Sequence, residues 1–307
     1  MSLLLSLSLL LSFSSNPYLE HIREMRSQKD QQFANPATSP LATITVFRLR
    51  DGAYVVGSAS DADWQLGLTG VRSHHARILA SPDEIVLEGL EGEIRSVPPD
   101  WTPLRQSPDG RLEMVAGKPV PRVEWQVGER YQIGSVLLAL QMHPVGPVVR
   151  IIFPSSPEVR NFSGLKYFPV DPRFRLQAWI QPRPLRGVSI VDTQGWTRPG
   201  YVYGKLLFQL EGQPQQLDLI LFEKEPDPQS QFMLIYRDAT SGKTTYSAGR
   251  YLYLPYQEEG KVWLDFNLGS NPYCAYGGGF ACPLPLPGNR LTAAVRAGEK
   301  KYHESGQ

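Results

Sequence analysis

Residues 271–290 read NPYCAYGGGFACPLPLPGNR. The stretch holds both cysteines of the chain, three consecutive glycines and four prolines. Four readings compete: a metal clamp, a redox pair, a nucleophile loop and a rigid strap. Zinc asks for three or four ligands. The five histidines are His21, His74, His75, His143 and His303, and only the last stands in the same half of the chain. The Cys-x7-Cys spacing suits neither a zinc knuckle nor a thioredoxin-type pair. The same shortage of histidine leaves a Ser-His-Asp arrangement there without its base. Gly277, Gly278 and Gly279 lack the strand–helix frame of a nucleotide loop. The strap reading stands. Cys274 and Cys282 can close a short loop in an oxidising compartment, worth about 2–3 kcal/mol, or remain two buried thiols in a reducing one. Pro283, Pro285 and Pro287 then hold an extended path.

The flanks of the strap read as strands. On KVWLDFNL (261–268) a period of two sets Trp263, Asp265 and Asn267 on one face and Leu264, Phe266 and Leu268 on the other. On GRYLYL (249–254) Arg250 shares a face with Leu252 and Leu254. An inward arginine and an inward aspartate on neighbouring strands must pair. The expectation is a buried Arg250–Asp265 bridge, with Asn267 and Asn271 bonded to loop backbone. The functional alternative is a polar floor in a cavity walled by Tyr203, Tyr236, Tyr246, Tyr253 and Trp263, which could orient a small ligand. A catalytic version would draw its acid or base from Asp265, Asp238 or Glu299.

Farther out, RLQAWIQ, YVYGKLLFQLEG, QQLDLILFE, FMLIYRD and LTAAVRAG complete seven predicted strands between residues 148 and 302. Mostly antiparallel connections favour a barrel or sandwich. Residues 42–143 show short strands about ten residues apart, with turns at Asp51-Gly52 and Asp109-Gly110, as in a small β-sandwich. His143-Pro144-Val145-Gly146-Pro147 reads as the junction between the two. Before them, Asn16-Pro17 opens an amphipathic helix to residue 34, with Leu19, Ile22, Met25 and Phe33 on one face. Residues 1–15 carry an apolar run of signal-peptide length, without the usual preceding Lys or Arg. They read as an export signal or an unstructured tail, and 303–307 as a tail.

The chain has 31 basic and 30 acidic residues in 307, a formal net charge of +1. That balance provides no general attraction to nucleic acid. The apolar run is too short for a membrane span. No phosphate loop, HExxH or GxSxG is present. The reading is a mostly β protein with no metal and no cofactor. It binds an unknown small ligand or protein at the cell envelope, with a cytoplasmic location as the alternative. The rival readings are a carboxylate- and arginine-based hydrolase or isomerase, and a phosphate-independent peptide reader.

Two resemblances refine this. YVVGSASDADWQL (54–66), VRSHHARI (71–78) and WQVGERYQIGSVLLAL (125–140) resemble a forkhead-associated domain. That resemblance implies a β-sandwich and a phosphopeptide site at Ser58, Arg72 and His75. The family usually has arginine where Ser58 stands and serine where Arg72 stands. Each lost charge-assisted hydrogen bond would cost about 1.5–3 kcal/mol of phosphopeptide affinity, so the implied site is degenerate, with Arg72 or Arg77 as partial compensation. The helix with SPL (39–41), FSGLKYFPVDP (162–172), YGKLLFQLEG (203–212), YRDATSGKTTYSAGRYLYL (236–254), LDFNLGSNPYCAYGGGFACPLPLPGNRL (264–291) and AGEK (297–300) resemble a bacterial and archaeal family known as domain of unknown function 1684. This implies one family domain, residues 16–41 and 148–302, with the sandwich inserted, and no known chemistry.

Overall fold

The computed structural model describes residues 16–302 apart from 37, 99–103, 107–111 and 115–116. The signal-like run, the Asp109-Gly110 turn and His303 lie outside the described residues. Helix α1 spans Pro17–Ala34. Asn16 caps it by accepting the Tyr18 N–H at 3.0 Å, and Pro17 occupies the first turn, where a missing N–H costs nothing. Asn35 precedes Pro36 and leaves the helical region, which ends the helix. Ile22 and Phe33 are fully buried, but Met25 is 44% exposed. The inward stripe is Ile22, Arg26, Lys29 and Phe33, the i, i+4, i+7, i+11 spacing of one face.

Among the described residues the sandwich region holds thirteen strands: β1 (Thr43–Arg48), β2 (Gly52–Gly57), β3 (Trp64–Gln65), β4 (Ala76–Ala80), β5 (Ile85–Gly89), β6 (Ile94–Val97), β7 (Leu104–Gln106), β8 (Leu112–Met114), β9 (Lys118–Val120), β10 (Arg122–Glu124), β11 (Arg130–Ile133), β12 (Val136–His143) and β13 (Gly146–Ile152). One sheet runs β1-β13-β12-β11-β6-β9 and the other β10-β5-β4-β2-β3, with β7-β8 as a separate hairpin. Val136, Leu138 and Leu140 face the sandwich core, while Leu137 and Ala139 face a second cluster outside it. A sheet covered on both sides needs the unbroken apolar run VLLAL and not an alternating one. The junction expected at residues 143–147 is instead a hairpin turn. His143 pairs with Gly146, and β13 pairs with both β12 and β1. The sandwich therefore extends to Ile152, because Val149 and Ile151 belong to its core.

After a one-turn helix α2 (Pro157–Arg160), six strands form the second unit: β14 (Arg175–Val191), β15 (Thr197–Leu210), β16 (Gln213–Leu221), β17 (Gln231–Tyr236), β18 (Arg250–Pro255) and β19 (Gly260–Asp265). They pair antiparallel in the order β18-β17-β16-β15-β14-β19. The sheet curls into a half-barrel. Beyond β19 the chain makes a 3-10 turn at Phe266–Leu268 and returns to β18, where Tyr251 and Ser270 exchange two backbone hydrogen bonds of 2.8 and 3.0 Å. Leu206, Phe208, Leu217, Leu219, Phe232, Leu234, Leu252 and Leu264 fill the interior. The seventh predicted strand, LTAAVRAG, is irregular. Its Val295 and Ala297 carbonyls are held by the Arg250 side chain, and its Ala293 and Gly298 carbonyls by the single N–H groups of Ala239 and Phe168, not by a ladder.

A third cluster joins the units. Phe33 of α1, Val97, Leu137, Ala139 and Ile152 of the sandwich, and Ala275 and Tyr276 of the strap are buried together. The opening stretch is thus the wedge at which helix, sandwich and half-barrel meet. Gly278 packs against β1 so closely that a Cβ there would stand 2.6 Å from the Thr43 carbonyl oxygen. Its φ of +74° also favours glycine.

Candidate functional site

Arg250 is fully buried, and its partner is Asp238, not Asp265. Nη2 donates to Asp238 Oδ2 at 2.8 Å and to the Val295 carbonyl at 2.9 Å, while Nη1 donates to the Ala297 carbonyl. The expected Arg250–Asp265 bridge fails for a topological reason. β18 and β19 follow one another in sequence but occupy opposite edges of the sheet. Asp265 instead caps the 3-10 turn through the Asn267 N–H at 2.9 Å. Arg250 ties down the irregular 291–300 segment, whose backbone needs partners once buried.

The other candidates scatter in part. Asn267 donates to the Asp171 carbonyl and to the Tyr18 hydroxyl, both at 2.9 Å. Asn271 donates to the Lys300 carbonyl at 2.8 Å. Trp263 is 50% exposed with the Arg175 guanidinium 4.5 Å over its ring. Tyr236 lies in the half-barrel core, Tyr203 donates to the Glu258 carbonyl at 2.7 Å, and Tyr246 reaches Cys274. The five aromatic residues expected to wall one cavity do not converge.

What does converge is a cavity of about 470 Å³ between α1 and the turn after β19. Asn267 and Tyr253 border it, as do Leu252, Leu268, Ser270 and Tyr167. From α1 come Met25, Arg26 and Lys29, and from the far end of the chain Glu299. Glu299 is 1% exposed and takes three donors: the Lys29 ammonium, the Asn271 N–H at 2.8 Å and the Tyr276 hydroxyl at 2.5 Å. Arg26 lies 4.5 Å over the Tyr167 ring and donates to the Phe168 carbonyl at 3.0 Å. Its Nε–H and the Tyr167 hydroxyl are buried without a hydrogen-bond partner. Burial, with Glu299 and Asp30 nearby, raises the Tyr167 pKa far above that of free tyrosine, so its hydroxyl keeps its proton. Burial lowers that of Arg26. Glycines let the walls approach: a Cβ on Gly298 would stand 2.4 Å from the Gly269 carbonyl oxygen.

Reading the sequence missed Arg26, Lys29 and Tyr167, because a helical pattern assigns charges to the outside. Ile22 and Phe33 share the face on which Arg26 and Lys29 lie, but nothing in the spacing chooses that face over the one with Leu19 and Met25. A larger groove of about 610 Å³ lies outside the sheet by Trp179, Leu207 and Lys261. None of its lining groups is a buried ionisable side chain or an unsatisfied donor, so the cavity under α1 is the better candidate.

On the sandwich, the loops bring Ser58, Arg72 and His75 together through backbone. The Ser58 N–H donates to the Arg72 carbonyl at 2.8 Å, the Arg72 N–H to His75 Nδ1 at 3.1 Å, and His75 Nε2–H to the Glu93 carbonyl at 2.9 Å. His75 is buried and orients the loops. The neighbouring His74 lies between Asp61 (3.0 Å) and Glu91 (3.3 Å). Those two carboxylates oppose a phosphate at this rim.

The bonds from Glu91 and Asp61 raise the His74 pKa above 6.5, and those from His74 hold Glu91 below 4.5. The His74 contribution is complete below about pH 6.5 and is lost as pH rises through its raised value. That of Glu91 is complete above about pH 4.5 and is lost as pH falls through its lowered value. The loop contact is therefore fullest between these limits. An NMR titration is expected to place His74 above free histidine, and His74→Ala to abolish the difference in loop protection factors, corrected for intrinsic exchange, between pH 5.5 and pH 8.5. A His74 that titrates like free histidine would contradict this.

The sequence profile described as "Protein of unknown function (DUF1684)" matches residues 160–300. An uncharacterised protein of Haloarcula marismortui, solved by NMR, is 33% identical over 47% of this chain and 80% of its own, with a TM-score of 0.40. The chain belongs to the DUF1684 family. Its sandwich is matched by an FHA domain studied for phosphothreonine-dependent interactions (20% identity, 33% of this chain, 98% of that one, TM-score 0.24). The FHA-2 domain of a Mycobacterium tuberculosis ABC transporter also matches (18%, 34%, 77%, TM-score 0.23). No curated protein matches this DUF1684 chain. No helix among the described residues is long and apolar enough to cross a membrane.

Proposed function

We propose that this DUF1684 protein is a non-catalytic binding protein whose cavity under α1 takes a small amphipathic molecule ending in a carboxylate. The observation that carries the proposal is the pair of buried donors, Tyr167 Oη–H and Arg26 Nε–H, with no acceptor beside a cavity. A buried donor left unpaired costs about 1–3 kcal/mol, which an acceptor oxygen on the ligand would recover. Among the lining residues Arg26 and Lys29 stand against Glu299, with Asp30 and Asp265 acting on the site from just outside the lining. Leu252, Leu268 and Met25 supply the apolar side. Binding is favoured over turnover because Glu299, the carboxylate at the cavity, already accepts from three donors, one of them the Lys29 ammonium, and so is committed to holding the helix and strap together.

Calorimetry with hexanoate and octanoate, against the matched alcohols, tests this. The carboxylates are expected to bind and the alcohols to bind at least tenfold more weakly. Tyr167→Phe is expected to weaken carboxylate binding about tenfold, the effect of one hydrogen bond to a charged acceptor. Its thermal stability should hold or rise, because the variant removes an unsatisfied buried hydroxyl. Equal affinity in Tyr167→Phe, or no carboxylate binding, would overturn the reading.

A further inference from the structure

We infer that Cys274 and Cys282 form a thiol–disulfide exchange site that, once oxidised, locks the junction of helix, sandwich and half-barrel. The inference does not depend on the ligand reading.

The two thiols lie side by side. The Cys274 N–H donates to Cys282 Sγ at 3.2 Å, and both cysteines are unbridged. Cys282 is 8% exposed and held on both sides by one residue: its N–H donates to Thr193 Oγ1 at 3.1 Å, and its carbonyl accepts the Thr193 N–H at 3.0 Å. Cys274 is the more accessible of the two. Its sulfur accepts the Tyr246 hydroxyl at 3.6 Å. The position of the loop gives the bridge a consequence. Ala275 and Tyr276, next to Cys274, sit in the junction core. Gly278 and Gly279 lie against Thr43 and Thr45 of β1. Gly277, Gly278 and Gly279 all take positive φ, the turn conformation that favours glycine, between the two thiols.

The chemistry divides between the two sulfurs. Hydrogen bonding from Cys282, with Tyr246 and Thr193 assisting against burial, brings the Cys274 thiol down to about 7, while the Cys274 neighbour and burial push Cys282 up. Cys274, the thiol that a reagent can reach, is the attacking thiolate, and buried Cys282 resolves. It displaces one thiolate from a small disulfide such as oxidised glutathione, forming a mixed disulfide at Cys274. Cys282 then gives its proton to solvent and attacks Cys274 Sγ, which expels the second thiolate. The two cysteines lose two electrons and two protons, and the reagent disulfide becomes two thiols.

The test begins with full-length reduced protein and oxidised glutathione, read by intact mass spectrometry. Wild type is expected to lose two hydrogens and keep no adduct. Cys282→Ser should accumulate one glutathione adduct, and Cys274→Ser none. Oxidised wild type is expected to melt roughly 5–10 °C above the reduced form, the size that closing so short a loop predicts. Amides of Thr43–Val46 should exchange more slowly after oxidation. Native thiols that resist the reagent, an adduct on Cys274→Ser in place of Cys282→Ser, or equal melting temperatures and exchange in the two forms would each overturn the inference.

Discussion

Asp238→Ala is expected to destabilise the half-barrel by about 3–5 kcal/mol, because it leaves a buried guanidinium without its counter-charge. Both side chains of the Arg250–Asp238 pair are fully buried. Asp238 also accepts the Thr240 N–H at 2.7 Å and the Thr240 hydroxyl at 2.5 Å, so the substitution opens the 238–245 turn as well. Asp238→Asn preserves an acceptor for Thr240 but loses the charge and turns an NH2 toward Arg250, so its loss should be smaller only by what the Thr240 turn recovers. Urea denaturation followed by tryptophan fluorescence measures both. A local signature separates this account from general destabilisation: residues 293–300 hang on Arg250 through the Val295 and Ala297 carbonyls. Their amides should exchange fastest in the variant. A loss below about 1 kcal/mol, typical of a surface pair, would mean that the pair does not anchor this segment.

Glu299→Ala should have a comparable effect, about 3–5 kcal/mol, with a different outcome. It orphans the Lys29 ammonium, the Asn271 N–H and the Tyr276 hydroxyl together. Two of these belong to the strap region and one to α1. The helix should therefore undock, although Ile22 and Phe33 still favour burial. Limited proteolysis within 17–34, ahead of any cleavage in the sandwich, is the expected observation. Glu299→Gln retains an acceptor and should fall between wild type and Glu299→Ala. If α1 stays protected in Glu299→Ala, the helix is held by its apolar face alone, and the cavity does not depend on this carboxylate.

The elements were legible where local chemistry decides them. Asn16-Pro17 announces a helix start, Asn35-Pro36 its end, and alternating or continuous apolar runs mark the strands. The unbroken run VLLAL even carries the information that its sheet is covered on both sides, although not by what. Gly278 could be marked as a turn residue, but not as the contact with Thr43. The expected junction at His143–Pro147 shows the opposite case. A turn sequence reads the same whether it joins two domains or two strands of one sheet, and only the pairing of β12 with β13 distinguishes them.

Pairing and inward charge were the parts that sequence periodicity could not supply. A period of two assigns Arg250 to a face but not to a neighbour, and neighbours are set by sheet order. Here that order puts consecutive strands β18 and β19 at opposite edges and gives Arg250 to Asp238. A helical period assigns Met25 inward and Arg26 and Lys29 outward. The structure reverses this because Glu299, 270 residues from Lys29, waits in the interior with a compensating charge.

By itself the sequence determined a mostly β chain of the DUF1684 family, its amphipathic helix and its cysteine-bearing strap, since these rest on interactions within a few residues or on motifs read directly. The tertiary structure alone decided the cavity, its two unpaired donors and the wedge where three units meet. Those features join residues far apart in the chain, and burial of charge depends on partners that only the completed fold brings within hydrogen-bonding distance.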